Sequence, residues 1–179
     1  IDASASMAGD KLAAAKAAAH AFAGVVTMPT DHVAVIAFNE TATTLIGLTG
    51  DRAAVDAAID RITLAPGTRI DAGLAAARAE LNGPAGRLDA TRVIALLTDG
   101  RQDDGPERAE AEATAARAAG IRIFTIGLGA DVDGAFLARL AGMTGRYYAA
   151  PTPADLAAIY AGLADEARTC PKDAFWGGR

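Results

Sequence analysis

The chain has 179 residues, 51% of them apolar but only 5% aromatic, and a net charge of −5. That length fits one domain with room for a full core, and the acidic balance argues against nucleic acid and against docking on anionic lipid. No apolar run is long enough to span a bilayer; the longest, Leu12 to Val26, carries Lys16 and His20 and reads as amphipathic.

The chain opens on Ile1-Asp2-Ala3-Ser4-Ala5-Ser6. An acid and two hydroxyls spaced by two can aim three oxygens at one point, a donor set suited to a hard divalent cation such as Mg²⁺. Residues 10–27 read as a helix, with Leu12, Ala15, Ala19, Phe22 and Val26 in one stripe. His32 to Phe38 is a nearly continuous apolar run and predicts a strand buried on both faces. Residues 41–48 predict an antiparallel edge strand after the Asn39-Glu40 turn. Asp51 to Ile62 predicts a helix that Thr49 or Asp51 caps.

The loop Thr63 to Arg69 leads into a helix over Ile70 to Leu81, with Ile70, Leu74, Ala77 and Leu81 inward. Thr91 to Thr98 is the clearest buried strand and ends at Asp99-Gly100. Pro106 to Ala119 reads as a helix closed by Gly120. Ile121 to Gly127 is a third buried strand. A short helix over Ala135 to Ala141, a short strand over Gly145 to Ala149 and a last helix over Ala154 to Arg168 follow. Residues 169–179, with Cys170, Phe175 and Trp176, show no periodicity and read as a tail beyond a domain of residues 1–168.

Strands alternating with helices of crossover length specify an α/β fold with a mainly parallel sheet covered on both faces. In such sheets sites form at the carboxyl ends of strands. Asp2 and Asp99 fall at two such ends, and Thr68 lies in a loop entering a helix.

Asp2-x-Ser4-x-Ser6, Thr68 after Gly67, and Thr98-Asp99-Gly100 together resemble the von Willebrand factor A domain and its metal-ion-dependent adhesion site. Order and spacing match from residue 1 to about residue 168, and Ile126-Gly127-Leu128-Gly129 after the third buried strand fits as well. The resemblance implies a three-layer αβα, Rossmann-like fold, mainly parallel, with one antiparallel edge strand. It implies metal ligands at Asp2, Ser4, Ser6, Thr68 and Asp99, with Asp2 or Asp99 acting through water. The ion expected is Mg²⁺, with Mn²⁺ or Ca²⁺ as substitutes, and an Asp or Glu of a partner protein completes it. The chain departs from the family at Ala5, where glycine is common, and in its central first strand, of which Ile1 alone remains. It therefore reads as a fragment cut just before its own site, and poor stability is expected of it alone.

The chemistry agrees with the pattern. Two carboxylates offset a divalent charge, and three hydroxyls coordinate without adding any, which leaves the ion an affinity for one further anionic oxygen. The rival reading of Asp2, Ser4 and Ser6 is an ordinary helix cap. Thr68 alone can cap the helix at Ile70, and Asp99-Gly100 alone can be a turn. Asp71, Asp103 and Asp104 read as helix-start or solvated loop acids; Asp103 and Asp104 also flank the metal edge. His20 and His32 lack ligand spacing for zinc.

An enzyme is disfavoured. Ser4 stands where a phosphoryl-transferring Asp-x-Asp needs its second acid, and no Gly-x-Ser-x-Gly or Gly-x-x-x-x-Gly-Lys segment occurs. The expected function is a metal-dependent protein-binding module. The alternatives are a subunit of an ATPase-coupled assembly of the metal-chelatase type and, behind it, Mg²⁺-dependent phosphoryl transfer. An exported, extracellular or cell-surface setting is expected from the family's common use and from Cys170, with a bacterial-type parent and a cytoplasmic setting left open.

Overall fold

Periodicity becomes structure in the expected order. The computed structural model describes residues 1–87, 89–100, 102–130 and 132–168; the tail with Cys170, Phe175 and Trp176 lies outside the described residues. A 3-10 turn at Ala5–Met7 leads to α1 (Asp10–Val25), β1 (Val33–Phe38), β2 (Ala42–Thr49), α2 (Arg52–Asp60) and α3 (Ile70–Asn82). Then come β3 (Val93–Thr98), α4 (Glu107–Ala118), β4 (Arg122–Leu128), α5 (Gly134–Ala141), β5 (Arg146–Ala150), a second 3-10 turn at Pro153–Asp155, and α6 (Leu156–Arg168). Asp51, not Thr49, caps α2, accepting from the Ala54 amide at 3.1 Å.

The fold is three-layer α/β. Successive strand residues point to opposite faces. Ile94, Leu96 and Ile123 pack on one face with α3, α4 and α5; Leu97, Phe124, Ile126 and Leu128 pack on the other with α1 and α6. A third apolar cluster joins Val35 and Ala37 of β1 to α1 and α2. The inward face of α1 is Ala15, Ala18, Ala19 and Ala23, while Leu12, Phe22 and Val26 are half-buried at its flanks. Methyl side chains let α1 lie close to α2, α6 and the sheet, which explains how a core poor in aromatics fills its space.

The sheet is divided. β3, β4 and β5 form a parallel ladder in that order, and β1 and β2 form a separate antiparallel hairpin. Ile1, Asp2 and Ala3 run between the halves. The Phe38 amide donates to the Ile1 carbonyl at 3.1 Å, the Ala3 amide to the Phe38 carbonyl at 2.7 Å, and the Asp2 amide to the Leu97 carbonyl at 2.9 Å. Beside this link a cleft of about 560 Å³ separates the halves, lined by Val33, Val35, Val93, Ala95 and Phe22 among others. Asp2 thus stands where β1 and β3 both end.

Candidate metal centre

Asp2 is fully buried, and its two oxygens are both engaged. Oδ1 accepts from the Ser4 amide at 2.8 Å, and Oδ2 accepts from the Thr98 hydroxyl at 2.5 Å. The Thr98 hydroxyl in turn accepts from the Gly100 amide at 3.1 Å. Burial pushes the Asp2 carboxyl above its ordinary range; the hydrogen bonds from Thr98 and Ser4 oppose this, and the charge of Asp99 adds to it.

Ser4 stands at the N-terminus of the 3-10 turn, yet its hydroxyl makes no capping bond there. It lies 2.9 Å from the Ser6 hydroxyl instead, and Ser6 donates to Asp99 Oδ1 at 2.7 Å. The capping explanation of this segment therefore fails: the side chains turn toward one another and toward the end of β3. The Lys11 ammonium donates to Asp99 Oδ2 at 2.5 Å, and the Asp99 side chain has no solvent exposure.

Thr68 does not cap α3; Arg69 occupies that position, with no side-chain cap. The Thr68 side chain lies against Gly100, where an added Cβ would meet Cγ2 at 3.5 Å and Oγ1 at 3.7 Å. Its loop is held from two sides. On the β1–β2 side, the Glu40 amide donates to the Pro66 carbonyl at 3.0 Å and the Arg69 amide to the Asn39 carbonyl at 2.7 Å. Gly67 has φ of +88°, and a Cβ there would sit 2.8 Å from the Glu40 nitrogen, so glycine is required twice over. On the β3 side, Asp103 Oδ2 accepts from the Thr68 amide at 2.6 Å, and the Asp103 amide donates to the Thr68 carbonyl at 3.0 Å.

The structure thus brings Asp2, Ser4, Ser6 and Asp99 into one hydrogen-bonded group and lays Thr68 beside it. The donor set is hard oxygen: two buried carboxylates of like charge and three hydroxyls. Such a group suits a divalent cation by charge and by ligand type. Among the described residues no cluster of three or more His, Cys, Asp or Glu side chains offers a second kind of metal centre.

Several residues carry more than their sequence positions suggest. Lys11, which no sequence pattern singles out, closes on Asp99. Asp103 is exposed as expected, yet it clamps the Thr68 loop. Asp71 is not a solvated acid: it is buried, takes Arg69 Nε at 2.8 Å and Nη2 at 2.7 Å, and accepts from Gln102 Nε2 at 2.7 Å. Arg69 beside it holds its carboxyl down at about 2. The Gln102 carbonyl accepts the Asp71 amide at 3.1 Å, so this network also ties α3 to the β3–α4 loop. The signal for these roles in sequence is faint: Arg69 is two residues from Asp71, but Asp99, Thr68 and Gln102 lie tens of residues from the side chains they meet.

His20 is engaged by acids of the neighbouring helix. Its Nδ1 pairs with Asp56 Oδ1 at 2.7 Å and its Nε2 with Asp60 Oδ1 at 3.1 Å, linking α1 to α2.

Comparison with known proteins bears on the fold and the family. The family model of the von Willebrand factor type A domain matches residues 1–161. A search of curated proteins gives no match. Among solved structures, a von Willebrand factor type A protein from Catenulispora acidiphila is 25% identical with a TM-score of 0.82, over 93% of this chain and 41% of that one. Proximal thread matrix protein 1 of the mussel byssus, solved with a zinc-occupied MIDAS motif, is 26% identical with a TM-score of 0.80, over 93% of this chain and 43% of that one. An aerotolerance-related membrane protein of Bacteroides fragilis shares the fold at 21% identity and a TM-score of 0.80, over 94% of this chain and 96% of that one. The chain spans less than half the length of the first two. This chain belongs to the von Willebrand factor type A domain family.

Proposed function

We propose that the domain binds a divalent cation through Asp2, Ser4, Ser6, Thr68 and Asp99 and, through that ion, a carboxylate of a partner protein. The observation that carries this reading is the hydrogen-bonded run from Ser4 through Ser6 to Asp99, with Thr68 against Gly100. Hydroxyls that face one another rather than capping a helix are arranged to share a common neighbour. Magnesium is the ion proposed; manganese or calcium would substitute by the same oxygen chemistry. The mussel protein's zinc-occupied MIDAS motif supports a metal at this position of the fold.

The cation would supply a Lewis-acidic centre for an anionic oxygen. Asp2 and Asp99 neutralise its charge, and the three hydroxyls leave it able to take a further ligand. Asp103, through the Thr68 backbone, holds that hydroxyl in place. The role is binding, not catalysis, and an exported or cell-surface setting belongs to the same proposal.

Calorimetric titration with Mg²⁺ and Mn²⁺ tests the metal. Thr68→Ala is expected to weaken binding by about tenfold or more while leaving the fold intact, since losing one coordinating oxygen removes an interaction of at least ~1.4 kcal/mol. Unchanged affinity would reject Thr68 as a ligand. Immobilised peptides bearing Glu, compared with their Gln counterparts, test the partner: capture that a chelator does not abolish would sink the carboxylate reading.

A further inference from the structure

We infer that Lys11 is a built-in counter-ion that competes with the divalent cation for Asp99, so that loading the site exchanges the Lys11 ammonium for metal. The inference rests on the metal reading above and deepens it. Both Asp99 oxygens are in use: Oδ1 takes the Ser6 hydroxyl, and Oδ2 takes Lys11 Nζ at 2.5 Å. The carboxylate has no exposure of its own, whereas the Lys11 side chain is 37% exposed and reaches it from the water side.

The position of Lys11 is a poor one for the helix that carries it. Lys11 is the second residue of α1, whose N-terminus has Gly9 as its cap and no capping side chain. A cation there meets the positive end of the helix dipole. Asp10 relieves part of this, but the ammonium points away to the end of β3, 88 residues on in sequence. Asp99 is the group that compensates it.

The consequence is electrostatic. Asp2 and Asp99 are two negative charges at one site, and the charge of Asp99 raises the cost of ionising Asp2. The tethered ammonium of Lys11 offsets part of that negative charge and holds Asp99 Oδ2 in place. A divalent ion held by Ser4, Ser6, Thr68 and Asp99 would face the ammonium at short range, in a buried setting where like charges interact strongly. The four-carbon stem lets the ammonium swing into solvent without moving the backbone. Lys11 therefore preserves the metal-free site and weakens metal affinity at the same time.

The test is calorimetric titration of Mg²⁺ into the wild-type protein, Lys11→Met and Lys11→Gln. Both variants are expected to bind Mg²⁺ at least about tenfold more tightly than wild type, because the competing charge is gone. Without metal they should melt lower than wild type, and with saturating Mg²⁺ the difference should shrink or reverse. In wild type with ¹⁵N-labelled lysine, the protected ammonium resonance of Lys11 should be lost on adding Mg²⁺. Equal or weaker Mg²⁺ binding in both variants would overturn the exchange, as would a Lys11 ammonium signal that persists at saturation. If wild type binds no Mg²⁺ but the variants do, the exchange stands. If none of the three proteins binds Mg²⁺, the exchange and the metal reading both fall, whereas wild-type binding without tightening removes the exchange alone.

Discussion

The two halves of the sheet are built differently. The β3–β4–β5 half is a regular parallel ladder, with β4 buried along nearly its whole length and helices on both faces. The β1–β2 half is a hairpin with register shifts between Val33 and Val35 and between Val35 and Ile36, and β2 is buried nowhere along its length. Yet the candidate site belongs to neither. Ser4 pairs with Ala65 beside the hairpin, Asp99 ends β3, and the Thr68 loop is tied to Glu40 on one side and Asp103 on the other. The parallel ladder supplies one side of the site through Asp99, and the segment beside the hairpin supplies the other. A cation there would join the halves, and ligand that binds only the folded state stabilises it by mass action.

The largest effect expected is Phe124→Ala at the centre of β4. Removing a fully buried ring from the regular half should cost about 3–5 kcal/mol, read by denaturant unfolding. Val35→Ala in the hairpin loses two methyl groups from a site 5% exposed and should cost about 1.5 kcal/mol. Equal losses at the two positions would break the contrast. Amide exchange sharpens it: β1 and β2 should exchange faster than β3 and β4, and added Mg²⁺ should narrow the gap by slowing the hairpin.

Acid acts on stability through Asp71. Its carboxyl is held at about 2 in the folded protein, against 3.8 ordinarily, chiefly by Arg69. A folded value below the unfolded one means stability that is present above pH 3.8 and lost as pH falls toward 2. The expected loss over that window is about 1–2 kcal/mol, less in Asp71→Asn, which lacks the titrating group. An unchanged acid limb in that variant would remove Asp71 as its cause.

The smallest effect is at His20. Its hydrogen bond to Asp56 raises its affinity for a proton, aided by Asp60. Stability from the charged imidazole is complete below pH 6.5 and fades as pH rises through the higher folded value. Both groups are partly exposed, so the gain is about 0.5 kcal/mol. A proton NMR titration of His20 should show a midpoint above 6.5; one below it would reverse the sign.

Much of this was legible in the residues. Thr91 to Thr98 and Ile121 to Gly127 announce buried strands because nearly continuous apolar runs rich in β-branched residues, with Arg92 and Arg122 confined to their starts, have no other stable place in an α/β layer. Asp2, Ser4 and Ser6 announce a site because their spacing is local and the oxygens meet within one turn. Harder to read were α1, whose inner face is alanine alone at its centre, and Asp71, whose acid looks like any helix-start residue.

Sequence alone determined the order of elements, the α/β class and the oxygen character of the site, since period, turn residues and ligand type are properties of short stretches. Only tertiary structure decided that Asp103 clamps Thr68, that Asp71 is buried against Gln102, and that Lys11 closes on Asp99. The reason is distance along the chain. A hydrogen bond across 88 residues leaves no periodic trace, and a surface-type side chain is drawn inward only when a buried charge waits there to meet it.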